Sequence, residues 1–155
     1  MPSGLSRPAL QSGGVGGSCK NYSNAYVQAM LAEVKPTVDA MRAVGLSDRL
    51  LAYGFDENPI ECEPQVRQLF GALKAAYPEV RTMAVLNWPT MPDDLPVDIW
   101  VISYTLYNAT MQQKWVAAGH EYWQYWCIEP REAGYLNTFI ERPLANARQL
   151  FWLSF

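Results

Sequence analysis

The feature that most constrains this chain is a repeated alternation of short apolar runs with segments of helical period. Apolar runs at 50–55, 81–86, 97–102 and 121–127 read as strands. Before the first, Tyr26, Val27, Met30, Leu31, Val34, Val38 and Met41 recur at helical spacing, which predicts a helix over 23–44 closed by Gly45. Pro36 is expected to kink or interrupt it. Val66, Leu69, Phe70 and Leu73 mark a second helix, with Pro64 in its first turn and Pro78 stopping it. A loop with Trp88, Pro89 and Pro92 follows the second strand. A helix over 109–118 with Met111 and Trp115 inward precedes the fourth strand, and Pro143 opens a last helix through Leu144, Ala147, Leu150 and Phe151. Strands alternating with helices imply a parallel α/β sheet. Four consecutive βα units equal half of an eight-stranded TIM-type barrel, and they also suit a small doubly wound sheet.

The chain is 155 residues long, enough for one domain with a real core. Residues 1–20 are rich in Gly, Ser and Pro, lack periodicity and read as a disordered segment, which leaves 21–155 as the folded domain. They hold no convincing signal peptide, so the compartment stays unknown. The net charge of −3 and the lack of a basic stripe speak against nucleic acid. No apolar run is long enough to span a bilayer. No GxGxxG or GxxxxGK[ST] follows a strand, so no nucleotide cofactor is called for, and Gly13–Gly17 reads as linker. Cys19, Cys62 and Cys127 form no metal spacing, and their odd number argues against a disulfide framework. The single histidine, His120, reads as a turn residue after Gly119. That scarcity disfavours Ser-His-Asp or Cys-His chemistry and metal binding.

The chemistry is expected where the first strand ends. Leu50 to Phe55 runs straight into Asp56 and Glu57, followed by the turn dipeptide Asn58-Pro59. Parallel α/β proteins hold their catalytic groups at strand C-termini. Two adjacent acids with no metal cluster suggest acid/base work on a sugar, with turn formation as the plainer alternative. Side chains alternate along a strand, so neighbouring acids share a site only where the backbone bends, and Asn58-Pro59 is expected to supply that bend. Six Trp and nine Tyr also suit a carbohydrate site, where aromatic faces stack on sugars.

Five segments carry a resemblance. They are Tyr53-Gly54-Phe55-Asp56-Glu57-Asn58-Pro59, Leu73-Lys74-Ala75-Ala76-Tyr77-Pro78, Val97-Asp98-Ile99-Trp100-Val101, the run from Gly119 to Cys127, and the run from Tyr135 to Glu141. In this order and spacing, over about 24–152, the chain resembles the C-terminal half of the catalytic barrel of glycoside hydrolase family 123, the β-N-acetylgalactosaminidases. The resemblance implies a truncated (β/α)8 barrel and substrate-assisted, retaining hydrolysis of terminal β-N-acetylgalactosaminides. In that scheme the sugar's own acetamido oxygen attacks the anomeric carbon. Asp56 would then orient the acetamido group, and Glu57 would protonate the leaving oxygen and later act as base toward water. An adjacent carboxylate and an aromatic surround favour the protonated acid this needs.

The further site candidates are less fixed. Tyr125 is expected to hydrogen-bond the acetamido oxygen, Trp100 or Trp126 to floor the sugar, Trp88 to line the rim and Asn137 to bind a hydroxyl. Core packing for the tryptophans and loop capping for Asn137 are the rival roles. The implied partner is a 2-acetamido sugar. A half-barrel would also leave two unpaired sheet edges, so self-association through them is expected. A catalytically silent carbohydrate-binding or assembly module is the alternative function.

Overall fold

The computed structural model describes residue 19, residues 21–127, residue 136 and residues 143–153. The elements run α1 (Asn24–Ala43), β1 (Leu51–Asp56), α2 (Glu63–Ala76), β2 (Arg81–Val85), β3 (Ile99–Ser103), α3 (Ala109–Ala117), β4 (Glu121–Tyr125) and α4 (Leu144–Leu153). Short 3-10 turns precede β1 and α2 and follow β3. The strands form one sheet in the order β1-β2-β3-β4, and all three pairings are parallel. This is the α/β alternation that the sequence pattern calls for.

Local chemistry sets the helix ends. Ser23 caps α1, its hydroxyl accepting from the Tyr26 amide at 3.1 Å. At the other end Gly45 takes φ +71° while Gly45 N and Leu46 N donate to Arg42 and Met41, a Schellman closure that favours glycine. Contrary to the expected interruption, α1 runs through Pro36. Pro36 and Ala32 are both exposed, so the carbonyl that proline leaves without a donor can be hydrated.

The helices cover one face of the sheet. Val66, Leu69 and Phe70 of α2, with Val27 and Met30 of α1 and Trp115 of α3, pack on Phe55, Ala84, Trp100 and Ile102. The opposite face carries Val85, Ile99 and Val101 with Met83 and Tyr125 against them. Leu51, Tyr53 and Trp123 are each more than two-fifths exposed, so that face is open. Among the described residues β1 and β4 pair on one side only.

Two fixtures tie the elements together. Lys74 of α2 reaches Asp98 at 2.7 Å, and the Thr82 amide donates to the same carboxylate at 2.7 Å. Burial works against the Asp98 charge, but Lys74 and Thr82 outweigh it and hold the carboxyl below its usual range. A depressed folded value means the contribution is full above the unfolded value near about 4 and is lost as pH falls through the folded one. Asp98→Asn is therefore expected to cost about 1–2 kcal/mol in urea unfolding at neutral pH. That difference should shrink as both proteins are titrated below about pH 4.

The second fixture corrects the cysteine reading. Cys19 and Cys62 are disulfide-bonded, with Cα atoms 5.0 Å apart, and Cys127 is free and exposed. The parallel α1 and α2 start at the same end of the sheet. Cysteines just before each helix therefore meet, though 43 residues separate them. Gln65 and Gln68 reinforce the join through Asn21 and the Tyr22 carbonyl. Closing such a loop is worth about 4 kcal/mol in the chain-entropy account.

Candidate functional site

The site is built by an irregularity in β1. Leu51, Ala52 and Tyr53 pair with Arg81, Thr82 and Met83, but the next partner of Val85 is Asp56 rather than residue 55. Three steps on β1 face two on β2, which is a one-residue β-bulge. Phe55 sits at φ +59° and Glu57 at φ +53°, both left-handed conformations that non-glycine residues rarely adopt. Each costs on the order of 1–3 kcal/mol, and such strain gathers at functional positions. The bulge sends the Phe55 ring into the helix side, edge-on to Phe70 at 5.3 Å. It also returns Asp56 to the open face, opposite Val85.

This relocates the expected bend. Asn58-Pro59 does not create it; the backbone has already turned at residues 55–57. Asn58 is buried, and its carbonyl accepts from Trp88 Nε1 at 2.8 Å, so it anchors the loop.

Each acid meets a tyrosine. Asp56 is exposed and lies beside Tyr53, whose phenol is pushed up to about 12 by burial and by the Asp56 charge. Glu57 is half-buried, and its amide donates to the Val85 carbonyl at 2.8 Å. The Tyr125 hydroxyl donates to Glu57 Oε1. Asn87 Nδ2 donates to the Tyr125 oxygen at 3.0 Å and approaches Glu57 Oε1 at 3.5 Å. Asn87 Oδ1 in turn accepts from the Ser103 amide at 2.9 Å. Tyr125 is also pushed up to about 12, by burial first and then by Glu57, so both phenols are proton donors at neutral pH.

The expected aromatics separate onto two faces. Trp100 is 1% exposed on the helix side, edge-on to Trp115 and Tyr122, with Nε1 donating to the Leu86 carbonyl at 2.5 Å. Trp88 is 3% exposed in the same core. Both line a cavity of about 290 Å³ with Asn87, Met111 and Tyr122, and Asn87 borders this cavity as well as Glu57. The correction follows from strand parity: Ile99 and Val101 take the open face, so Trp100 cannot. Trp126 follows β4 and lies tilted on Tyr104 at 5.5 Å, its indole nitrogen enclosed without an acceptor among the described residues. Asn137 lies outside the described residues.

The tryptophan that does share the acids' face is Trp123, level with Val101 and held by Glu121 through its indole nitrogen at 2.8 Å. Sequence reasoning missed Tyr53 and Asn87 as site residues. Asn87 had one usable signal, its place just past a parallel strand's C-terminus. Among the described residues no group of three or more His, Cys, Asp or Glu side chains is placed to hold a metal. His120 stacks on Trp115 at 4.0 Å in the turn after Gly119.

No family model matches the chain, and no curated protein matches it in sequence. The functional reading therefore rests on the residues themselves. Adjacent carboxylates at a strand C-terminus, one exposed and one gripped by a phenol, can orient one group and exchange a proton with another.

Proposed function

We propose that the chain carries the acid/base centre of a glycosidase acting on terminal β-N-acetylgalactosaminides by substrate-assisted, retaining hydrolysis. The observation that carries this reading is the bulge, which sets Asp56 and Glu57 at the open end of a parallel sheet beside Tyr53 and Tyr125. The resemblance of the surrounding segments to glycoside hydrolase family 123 supports the substrate class, and the fold is compatible with part of a (β/α)8 barrel.

In the proposed reaction the acetamido oxygen attacks the anomeric carbon while the glycosidic C–O bond breaks. Glu57 gives its proton to the departing oxygen, and an oxazolinium ion forms. Asp56 orients the acetamido group and offsets the charge that develops on its nitrogen. Water then attacks the anomeric carbon, Glu57 takes the water's proton, and the acetamido group is restored. Tyr125 was expected to address the substrate; its hydroxyl hydrogen is instead engaged by Glu57, so its first role is to hold that carboxylate.

A second reading is favoured by one observation. Leu51, Tyr53 and Trp123 are 42%, 44% and 46% exposed on the open face, on the two edge strands β1 and β4. A surface of that kind suits a silent sugar-binding or self-associating module. Release of 4-nitrophenol from its N-acetyl-β-galactosaminide, with Asp56→Asn as blank, separates the two. Turnover above the blank supports the glycosidase; sugar binding or concentration-dependent sedimentation without turnover supports the module.

A further inference from the structure

Asn87 is the second residue past the end of β2, and Leu86 before it is fully buried on the helix side. Alternation therefore turns Asn87 toward the open face, beside the acids. The Leu86 amide still reaches the Val101 carbonyl at 3.0 Å, after which β2 no longer supplies backbone to β3. The next β3 donor, Ser103 N, is met by the Asn87 side chain instead, at 2.9 Å.

That bond decides which way the amide faces. A primary amide has an acceptor edge and a donor edge. With Oδ1 on Ser103 N, the Nδ2 edge must face Tyr125, and it does so at 3.0 Å. A phenol oxygen that accepts from Nδ2 sends its own hydrogen elsewhere, and it meets Glu57 Oε1. Turning the amide over would set Nδ2 against the Ser103 N–H and Oδ1 against the phenol. The Tyr125 hydrogen would then be drawn to Asn87, and Glu57 would be released.

We propose that Asn87 is the positioning residue of this site: anchored on Ser103, it directs the Tyr125 hydroxyl onto Glu57 Oε1 and leaves Oε2 to exchange the proton with substrate. Among the described residues, Oε1 receives both hydrogen bonds to this carboxylate and Oε2 none. A carboxylate pinned through one oxygen presents the other in a fixed direction. An acid that must later act as base at the same place needs that constancy. The second half of the proposal rests on the glycosidase reading; the first half does not.

Two substitutions in the full chain divide the roles of Asn87. Asn87→Asp keeps an oxygen for Ser103 N but has no donor for Tyr125; Asn87→Ala keeps neither. The first readout needs no substrate: the Tyr125 hydroxyl proton and ring Cζ signals in NMR of tyrosine-labelled protein, assigned by their loss in Tyr125→Phe. Both Asn87 variants are expected to displace these signals while the Tyr53 signals stay in place, with Asn87→Asp retaining the wild-type melting temperature. If Asn87 only caps β3, Asn87→Asp will leave the Tyr125 signals unmoved and only Asn87→Ala will lower stability, which overturns the proposal. The second readout is kinetic, with Asn87→Asp expected to lower kcat about tenfold and to move KM less than about twofold. Displaced signals in a wild-type protein that hydrolyses no N-acetylgalactosaminide would uphold the positioning role and sink the glycosidase reading alone.

Discussion

Glu57→Gln is expected to lower hydrolysis of N-acetyl-β-galactosaminides with poor leaving groups by about 10²–10⁴-fold, the usual worth of a general acid. A departing alkoxide must be protonated as the bond breaks, and the amide has no proton of comparable acidity to give. A nitrophenolate leaves without that help, so the first step should suffer far less with the activated substrate. Asp56→Asn should behave differently and damage both substrates alike, because orienting the acetamido nucleophile matters whatever departs. The measurement is kcat/KM for the two variants on an alkyl and a nitrophenyl glycoside. Equal losses on both substrates for Glu57→Gln would remove Glu57 from the acid role. Turnover of the plain galactoside at a comparable rate would remove the acetamido nucleophile and the scheme with it.

Trp100→Ala is expected to cost about 3–5 kcal/mol of folding stability, the range for removing a buried large aromatic. Its ring lies edge-on to Trp115 at 5.9 Å and to Tyr122 at 5.2 Å, and its indole N–H satisfies the Leu86 carbonyl. Truncation opens a cavity between β3 and α3 and leaves a buried carbonyl without its donor. Trp123→Ala is the informative contrast. Its side chain is 46% exposed on the open face, so the stability change should stay within about 1 kcal/mol. On the glycosidase reading that variant should raise KM, since it removes exposed aromatic surface from the open face. Urea unfolding of both variants checks the pair, and a small loss for Trp100→Ala would contradict its place in the core.

The elements themselves were legible. Val66, Leu69, Phe70 and Leu73 announce α2, and the buried set of that helix contains all four. The strand runs at 81–86 and 121–127 end one and two residues early, because Leu86 and Trp126 lie beyond the last ladder pairs. The site was legible as a place, the end of β1, but not as a set of side chains. By simple alternation Tyr53 and Asp56 belong on opposite faces, and only the extra residue in β1 puts both on the open one. A strand buried on both faces reads as a continuous apolar run, so nothing in Ile99-Trp100-Val101-Ile102 tells which residues face the helices.

Local spacing and period were enough to determine the parallel α/β order, the close of α1 at Gly45, and the carboxylate pair at the end of β1. Those depend on residues a few positions apart, whose preferences act before the chain is packed. The tertiary structure decided the rest. It brought Cys19 to Cys62 across 43 residues and Tyr125 to Glu57 across 68, and it turned Trp100 inward and Trp123 outward. Partners so distant in the chain are chosen by which faces the sheet buries, and β1 accepts the left-handed Phe55 because Phe70 packs on the ring that the bulge turns inward.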